Sequence, residues 1–246
     1  ALTGHCAHFT YVKCAQWMTH CAYSESCPQP DAYPKTICKS NCARNFEDKR
    51  RIFTSVPPER MTLICPSQWL ADLVAKSLLK GYPVEVRHNT IDKAVFKPTP
   101  SDFRERYGIG DRFMILGVAS PWTERKGLGD FVRLAGELDS DRYAIVLVGL
   151  SAKQMKSLPV GIIGLTRTDS PQELAGIYTT ADVFFNPTVE DNYPTVNLEA
   201  EACGTPVITY DTGGCRETIA DVRSHVVEGY SQAVELLKGK ENHAAS

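Results

Sequence analysis

The chain has 246 residues, with 27 Lys and Arg against 29 Asp and Glu, a formal net charge of −2 and 43% hydrophobic residues. A charged fraction of 23% excludes a disordered or collagen-like chain, and the near-zero net charge gives no support for nucleic-acid binding or electrostatic attachment to a membrane. No apolar run approaches the roughly 20 residues that span a bilayer.

The opening residues, Ala1 to Phe9, include no initiator Met and neither the basic start nor the apolar stretch of a signal peptide. Six of the nine cysteines (Cys6, Cys14, Cys21, Cys27, Cys38 and Cys42) crowd into this front part. Their spacing does not match common zinc frameworks, although Cys38-x3-Cys42 fits half of one, and His5, His8 and His20 offer further donors. Buried or reduced thiols are the favoured reading and structural zinc the alternative.

In chain order, residues 61–65 read as a buried strand. Pro66-Ser67 then opens a helix whose apolar positions Trp69, Leu70, Leu73, Val74 and Leu78 recur at helical spacing. Residues 84–86 form a second short strand, and 89–100, with Pro98 and Pro100, a linker. Beyond it, strands are expected at 113–118, 143–148, 160–164, 182–186 and 206–210. Amphipathic segments lie between them at 128–138, 171–180 and 194–203. Near-continuous apolar strands separated by helices predict a parallel sheet covered on both faces. Such sheets bind ligands at the carboxyl ends of their strands.

The most informative stretch runs from Asn186 to Ile208. A strand ends near Asn186, a polar loop carries Glu190 and Asp191, and Pro194 opens a helix at its first helical position. The free amides of that first turn form an anion site, and Glu199 follows one turn later. Acids on both sides of a phosphate-ready helix start suit a nucleotide-sugar. The amides and a Lys or Arg hold the diphosphate, while the carboxylates accept hydrogen bonds from ribose and sugar hydroxyls.

The same stretch resembles the acid-x7-acid signature of glycosyltransferase family 4, the retaining enzymes of the GT-B fold, followed by that family's E-A-x-A-C-G-T-P-V run. The likeness extends to Asn186-Pro187, to Asp211-Thr-Gly-Gly214 and Glu217, to Arg125-Lys126-Gly127, and to His88-Asn-Thr-Ile-Asp92 with Phe96 and Pro98. It is closest to the bacterial exopolysaccharide and colanic-acid-type branch. Three departures stand out. Eight residues separate Glu190 from Glu199, but seven separate Asp191 from Glu199, so either Asp191 replaces the first acid or the loop has slipped by one. Gly117-Val118 stands where the family has Gly-Arg, and Thr90 where it has a glycine.

The resemblance implies an α/β chain of GT-B type with two Rossmann-like domains. Residues 1–88 would be the C-terminal part of the acceptor-side domain, 89–100 a linker and 101–246 the nucleotide-sugar (donor) domain. It implies retaining transfer from a nucleotide-diphosphate donor to a growing, lipid-linked glycan in bacterial surface polysaccharide synthesis. That reaction would run in the cytoplasm at the inner membrane face, with no metal, no cofactor and no nucleic-acid partner. Asp191, with Glu190 beside it, would serve the sugar, and Arg125 and Lys126 the diphosphate. Backbone groups of Asn192, Tyr193, Pro194 and Thr195 would assist, Glu199 would hold the ribose, and Leu165 and Thr166 would contact the base. The chain reads as N-terminally truncated, without the upstream region through which the family would approach a membrane. No assignable catalytic histidine and no closing helix after Leu237 are legible.

Other motifs have plainer readings. Asp139-Ser140-Asp141 precedes its strand, on the wrong sheet edge, and reads as a solvated turn. Gly108-Ile-Gly110 lacks the third glycine of a dinucleotide loop. Gly213-Gly214 is either a tight turn or a ligand loop, and Cys65, Cys203 and Cys215 read as small core residues. Two rival functions remain: a fragment that only binds a nucleotide-sugar or a partner, and a nucleotide-sugar epimerase.

Overall fold

The computed structural model describes residues 14–18, 20–21 and 41–244, without the side chains of Cys42 and of 240–244. The chain divides into two compact units, residues 1–88 and 89–246. Cys6, Cys27, Cys38, His5 and His8 lie outside the described residues, so the zinc reading does too.

In the first unit, α1 (Cys42–Phe53) precedes β1 (Leu63–Cys65), α2 (Gln68–Ala75) and β2 (Val84–Val86). The two strands pair in parallel, Leu63 opposite Val84 and Cys65 opposite Val86. Ser67 is extended and its hydroxyl accepts the Leu70 amide at 3.1 Å, a side-chain cap that starts α2. The helix stops at Ala75 instead of reaching Leu78. The Ser77 hydroxyl donates to the Val74 carbonyl and accepts the Leu79 amide, which gives the backbone a local alternative to another helical turn. Leu63, Cys65, Leu70, Val74, Leu79 and Tyr82 close one small core. The Tyr82 hydroxyl donates to the Val56 carbonyl at 2.6 Å.

The second unit is built on a parallel sheet of order β5-β4-β3-β6-β7-β8. Its strands are β3 (Phe113–Val118), β4 (Tyr143–Val148), β5 (Ile162–Leu165), β6 (Val183–Asn186), β7 (Val207–Tyr210) and β8 (His225–Val227). Its helices are α3 (Phe103–Arg106), α4 (Leu128–Glu137), α5 (Ala152–Met155), α6 (Pro171–Thr180), α7 (Thr195–Ala202) and α8 (Tyr230–Ala244). Successive strand residues point to opposite faces, and each face carries its own core. Phe113, Ile115, Ile145, Phe185 and Ile208 pack with Phe131 and Leu134 of α4 and Leu237 of α8. Met114, Leu116, Val146, Phe184 and Val207 pack with Ile177 and Tyr178 of α6 and Ala200 of α7. Because both faces are covered, these strands read as nearly unbroken apolar runs.

The α/β class and the parallel sheet are as the apolar runs predict, with local shifts. Val160 is 99% exposed and Gly161 turns at φ 99°, so β5 begins at Ile162. Gly117 faces α4, where a Cβ would lie 2.5 Å from the Phe131 ring. A helix also continues past Leu237 to Ala244, where none was legible. Around residues 89–100, Phe96 packs edge-to-face on Tyr178 and the Thr99 amide donates to Thr179, both within the second unit.

The order of the sheet sets where a ligand can sit. From β3 the chain builds outward through β4 and β5, then returns to the other side of β3 with β6. This reversal opens a crevice beyond the carboxyl ends of β3 and β6.

Candidate functional site

Three loops meet at that crevice: residues 119–127 after β3, 187–194 after β6 and 211–218 after β7. The first ends in a short 3-10 turn, Glu124–Lys126, closed by Gly127 at φ 77°. A Cβ on Gly127 would lie 2.3 Å from the Pro187 carbonyl oxygen, so the two loops approach closely only because no side chain intervenes. Arg125 then clasps the second loop. Its carbonyl accepts the Val189 amide at 2.9 Å and the Thr188 hydroxyl at 3.1 Å, and its guanidinium donates to the Glu190 carbonyl at 2.7 Å.

This clasp brings Lys126 Nζ to 2.5 Å from Asp191 Oδ2, with side-chain exposures of 24% and 17%. The third loop supports Asp191 from the other side. The Gly214 amide donates to the Asp191 carbonyl at 2.9 Å, and the Thr212 hydroxyl donates to the Thr188 carbonyl at 2.6 Å. An Arg216–Asp211 ion pair at 2.6 Å spans the Gly213-Gly214 turn.

Beneath these loops runs a buried polar relay. Asn186 Nδ2 donates to Asn197 Oδ1 and Asn197 Nδ2 to Thr218 Oγ1, each at 2.9 Å. The Thr218 hydroxyl in turn donates to the Cys215 carbonyl at 2.6 Å. All three side chains are buried, so each must find its partner within the protein. The relay fixes the end of β6, the face of α7 and the turn after β7 relative to one another.

Helix α7 starts at Thr195, with Pro194 as its extended cap residue, φ −68° and ψ 109°. The proline therefore sits one position before the first helical residue, not within the helix. No side chain caps this end. The Asn197 amide turns back to the Pro194 carbonyl at 3.2 Å, which leaves the Thr195 and Val196 amides and the positive end of the helix dipole to face an anion. Glu199 follows on the face turned to α6, where its Oε2 accepts the Tyr178 hydroxyl at 3.1 Å. Burial raises the Glu199 carboxyl above the usual carboxylate range, against bonds from Tyr178 and Thr195 that lower it. Tyr193 is buried, and its phenol is raised by burial and by the charge of Glu217.

The residues singled out in the sequence thus fall into groups. Arg125, Lys126, Glu190 and Asp191 come together through hydrogen bonds between the first two loops. Asn192, Tyr193, Pro194 and Thr195 carry the chain from Asp191 into α7, and Glu199 faces Tyr178. Leu165 ends β5 and Thr166 follows it, two strands out from β3 on the same sheet edge. The Leu165 carbonyl is taken by the amides of Gly149 and Leu150, while Thr166 is exposed.

Sequence reasoning passed over Tyr178 and Asn197. Tyr178 falls at an apolar helical position and reads as core. Asn197 shares the buried face of α7 with Ala200, one turn on, and a polar residue at such a position is the signal that was there to find.

The remaining motifs are structural. The Asp139 carboxylate accepts the Asp141 amide in the exposed turn before β4. Gly108 and Gly110 turn at φ 59° and 60° around the buried Ile109. Cys65, Cys203 and Cys215 are buried thiols. Among the described residues no group of three or more His, Cys, Asp and Glu side chains could hold a metal ion. No helix there is long and apolar enough to cross a membrane.

Comparison with known proteins gives the family and the fold. The chain is 31% identical over 127 residues to a D-inositol 3-phosphate glycosyltransferase of Corynebacterium jeikeium, covering 45% of this chain and 30% of the relative. It is 31% identical over 156 residues to a GDP-mannose-dependent alpha-(1-6)-phosphatidylinositol monomannoside mannosyltransferase of Mycolicibacterium smegmatis, covering 56% and 41%. The chain thus spans less than half the length of these curated relatives. Among solved structures, Anabaena HepE in complex with UDP-glucose superposes with a TM-score of 0.63 at 19% identity, over 80% of this chain and 59% of that one. At that identity the likeness is one of fold, the GT-B fold of glycosyltransferases. The family model described as glycosyl transferases group 1 matches residues 112–237, from the start of β3 into α8 and across all three crevice loops. That match takes in more than half of the chain, and the chain belongs to the glycosyl transferases group 1 family.

Proposed function

We propose that this chain binds a nucleoside-diphosphate sugar at the crevice between β3 and β6 and, as part of a glycosyltransferase, passes the sugar to an acceptor with retention at the anomeric carbon. The observation that carries the reading is the Lys126–Asp191 pair, held at the switch point between Gly127 and Gly213. Lys126, with Arg125 beside it and the uncapped start of α7, supplies positive potential for a diphosphate. Stabilising the departing diphosphate is the main electrostatic demand of this transfer, and these groups meet it with protein charges alone. Asp191 and Glu190 serve the sugar hydroxyls, Glu199 the ribose, and the end of β5 at Leu165 and Thr166 the base.

The acceptor is read as a polar lipid or a growing glycan of an exopolysaccharide type, met at the cytoplasmic face of a membrane. The names of the two bacterial relatives, which point to inositol phosphate and phosphatidylinositol mannoside acceptors, support a phosphorylated or lipid-borne polyol. Donor binding is the part of the reaction that the residues of the second unit account for directly. The test is calorimetric titration with UDP, GDP and ADP. At least one is expected to bind, and Lys126→Ala is expected to weaken it by about tenfold or more. Absence of binding by all three would sink the reading.

A further inference from the structure

Tyr178 is fully buried, at the centre of the core between α6, α7 and the sheet. Its ring meets Phe184 of β6 edge-to-face at 5.5 Å and Phe96 at 6.3 Å. Its carbonyl accepts the Thr205 hydroxyl. All of these contacts would be kept by phenylalanine. What phenylalanine could not supply is the hydroxyl, and that hydroxyl donates to Oε2 of Glu199 at 3.1 Å.

We infer that Tyr178 is a positioning residue for donor recognition: its buried hydroxyl holds Glu199 Oε2 and so presents the carboxylate, aimed and charged, to the two ribose hydroxyls of the nucleotide. The inference rests on the reading of Glu199 as the ribose acceptor. A vicinal diol offers two O–H donors and is matched by an ionised carboxylate, which only accepts. Glu199 lies in surroundings that disfavour this ionised state, since burial raises its carboxyl, and Tyr178 and Thr195 oppose that by donating to it. Tyr178 itself is raised well above the usual phenol range by burial and by the neighbouring carboxylate, so it stays protonated and remains a donor. Cys203, the residue that closes the helix carrying Glu199, is also held neutral, pushed up to about 11. In the adjoining turn Arg216 is paired with Asp211, and Glu217 acts on Tyr193. On α6, Glu173 pairs with Arg106. Among the described residues, Tyr178 is thus the ionisable group that α6 directs at this acid.

The experiment uses the full chain and compares UDP, GDP and ADP with their 2′,3′-dideoxy counterparts, by calorimetry between about pH 5 and about pH 8. Tyr178→Phe is expected to weaken the ribonucleotide by about five- to tenfold and to leave the dideoxy compound unchanged. It should also move upward the pH below which ribonucleotide affinity is lost, because Glu199 then lacks one of the donors that lower its carboxyl. Glu199→Gln should remove the preference for ribose, and adding Tyr178→Phe to it should cost nothing further. Equal weakening of both nucleotides by Tyr178→Phe would mark a merely structural role and overturn the inference. So would an intact ribose preference and pH profile in Tyr178→Phe beside a lost preference in Glu199→Gln. A preference that survives Glu199→Gln would instead overturn the assignment of Glu199, and the inference with it.

Discussion

A Cβ placed on Gly213 would lie 1.9 Å from the carbonyl oxygen of Asp191. Gly213 also turns at φ 59°, a conformation that costs a side-chain-bearing residue about 1–2 kcal/mol before any collision is counted. The loop after β7 therefore touches the backbone of the acid it supports. Gly213→Ala is expected to lower the urea midpoint by more than that strain alone and to weaken nucleoside diphosphate binding as Asp191 is pushed away. A variant with unchanged stability and affinity would show that the loop yields freely.

Lys126 and Arg125 are adjacent but do different things. Lys126 meets the Asp191 carboxylate, whereas Arg125 holds the Glu190 backbone. Lys126→Met should leave a part-buried Asp191 without its cation, at about 1–3 kcal/mol of stability, and reduce diphosphate affinity strongly at low salt. Arg125→Met should loosen the 188–190 loop and raise its amide hydrogen exchange. Identical exchange in the two variants would contradict this division.

Asn197 joins Asn186 to Thr218 inside the protein, with both neighbours buried. Asn197→Ala leaves two buried polar groups without this partner. It should destabilise by about 1–3 kcal/mol for each group left unsatisfied, read by denaturant unfolding. Asn197→Leu, which fills the space but restores neither bond, should be no better. Full stability in either variant would remove the relay from the account.

How much of this is legible in the sequence depends on how local each cause is. Strands β3 and β4 fall at the predicted residues because a strand covered on both faces is apolar at every position. Helix α6 does too, because Ser170 caps it and Pro171 fills its first turn. Strand β8 has three residues and no distinguishing pattern. Helix α8 buries Ala233, Val234 and Leu237 but also contains Gly239, which breaks the helical pattern. Helix α1 buries Phe46 amid a run of charged residues, and so gives little apolar periodicity. At the crevice, the acid motif was readable as a segment, but its partners were not. Lys126 is 65 residues from Asp191, and Tyr178 is 21 from Glu199. Such pairs are set by strand order and helix packing, which spacing along the chain does not express. Gly117-Val118 illustrates the same point, since that glycine answers to the Phe131 ring.

The raised carboxyl of Glu199 makes a prediction about stability without nucleotide. Its unfolded value is near 4.5 and its folded value higher, so above pH 4.5 the folded chain holds on to the proton more tightly than the unfolded one. Stability therefore falls as pH rises through that window, and the full penalty is present above the folded value. Glu199→Gln should raise the thermal midpoint near pH 7, lose that advantage below about pH 4.5, and bind ribonucleotide less well. A midpoint difference independent of pH would contradict the assignment.

Cys65, Cys203 and Cys215 are buried, and burial pushes the last two up to about 11. As neutral, covered thiols they should resist alkylation at neutral pH in the native chain and react fully in urea. Peptide mapping by mass spectrometry after iodoacetamide treatment reads this directly. Native labelling at Cys215, beside Thr212, would show that the loop after β7 opens.

The central claim is that a nucleoside diphosphate occupies the crevice where the loops after β3, β6 and β7 meet. Titration of the isotopically labelled chain with UDP, GDP or ADP, followed by backbone amide chemical shifts, tests it most directly. The account predicts shifts concentrated at Arg125 to Gly127, Asn192 to Glu199 and Gly213-Gly214, extending to Leu165 and Thr166 from the base. Shifts confined to other surfaces, or none with any of the three nucleotides, would contradict it.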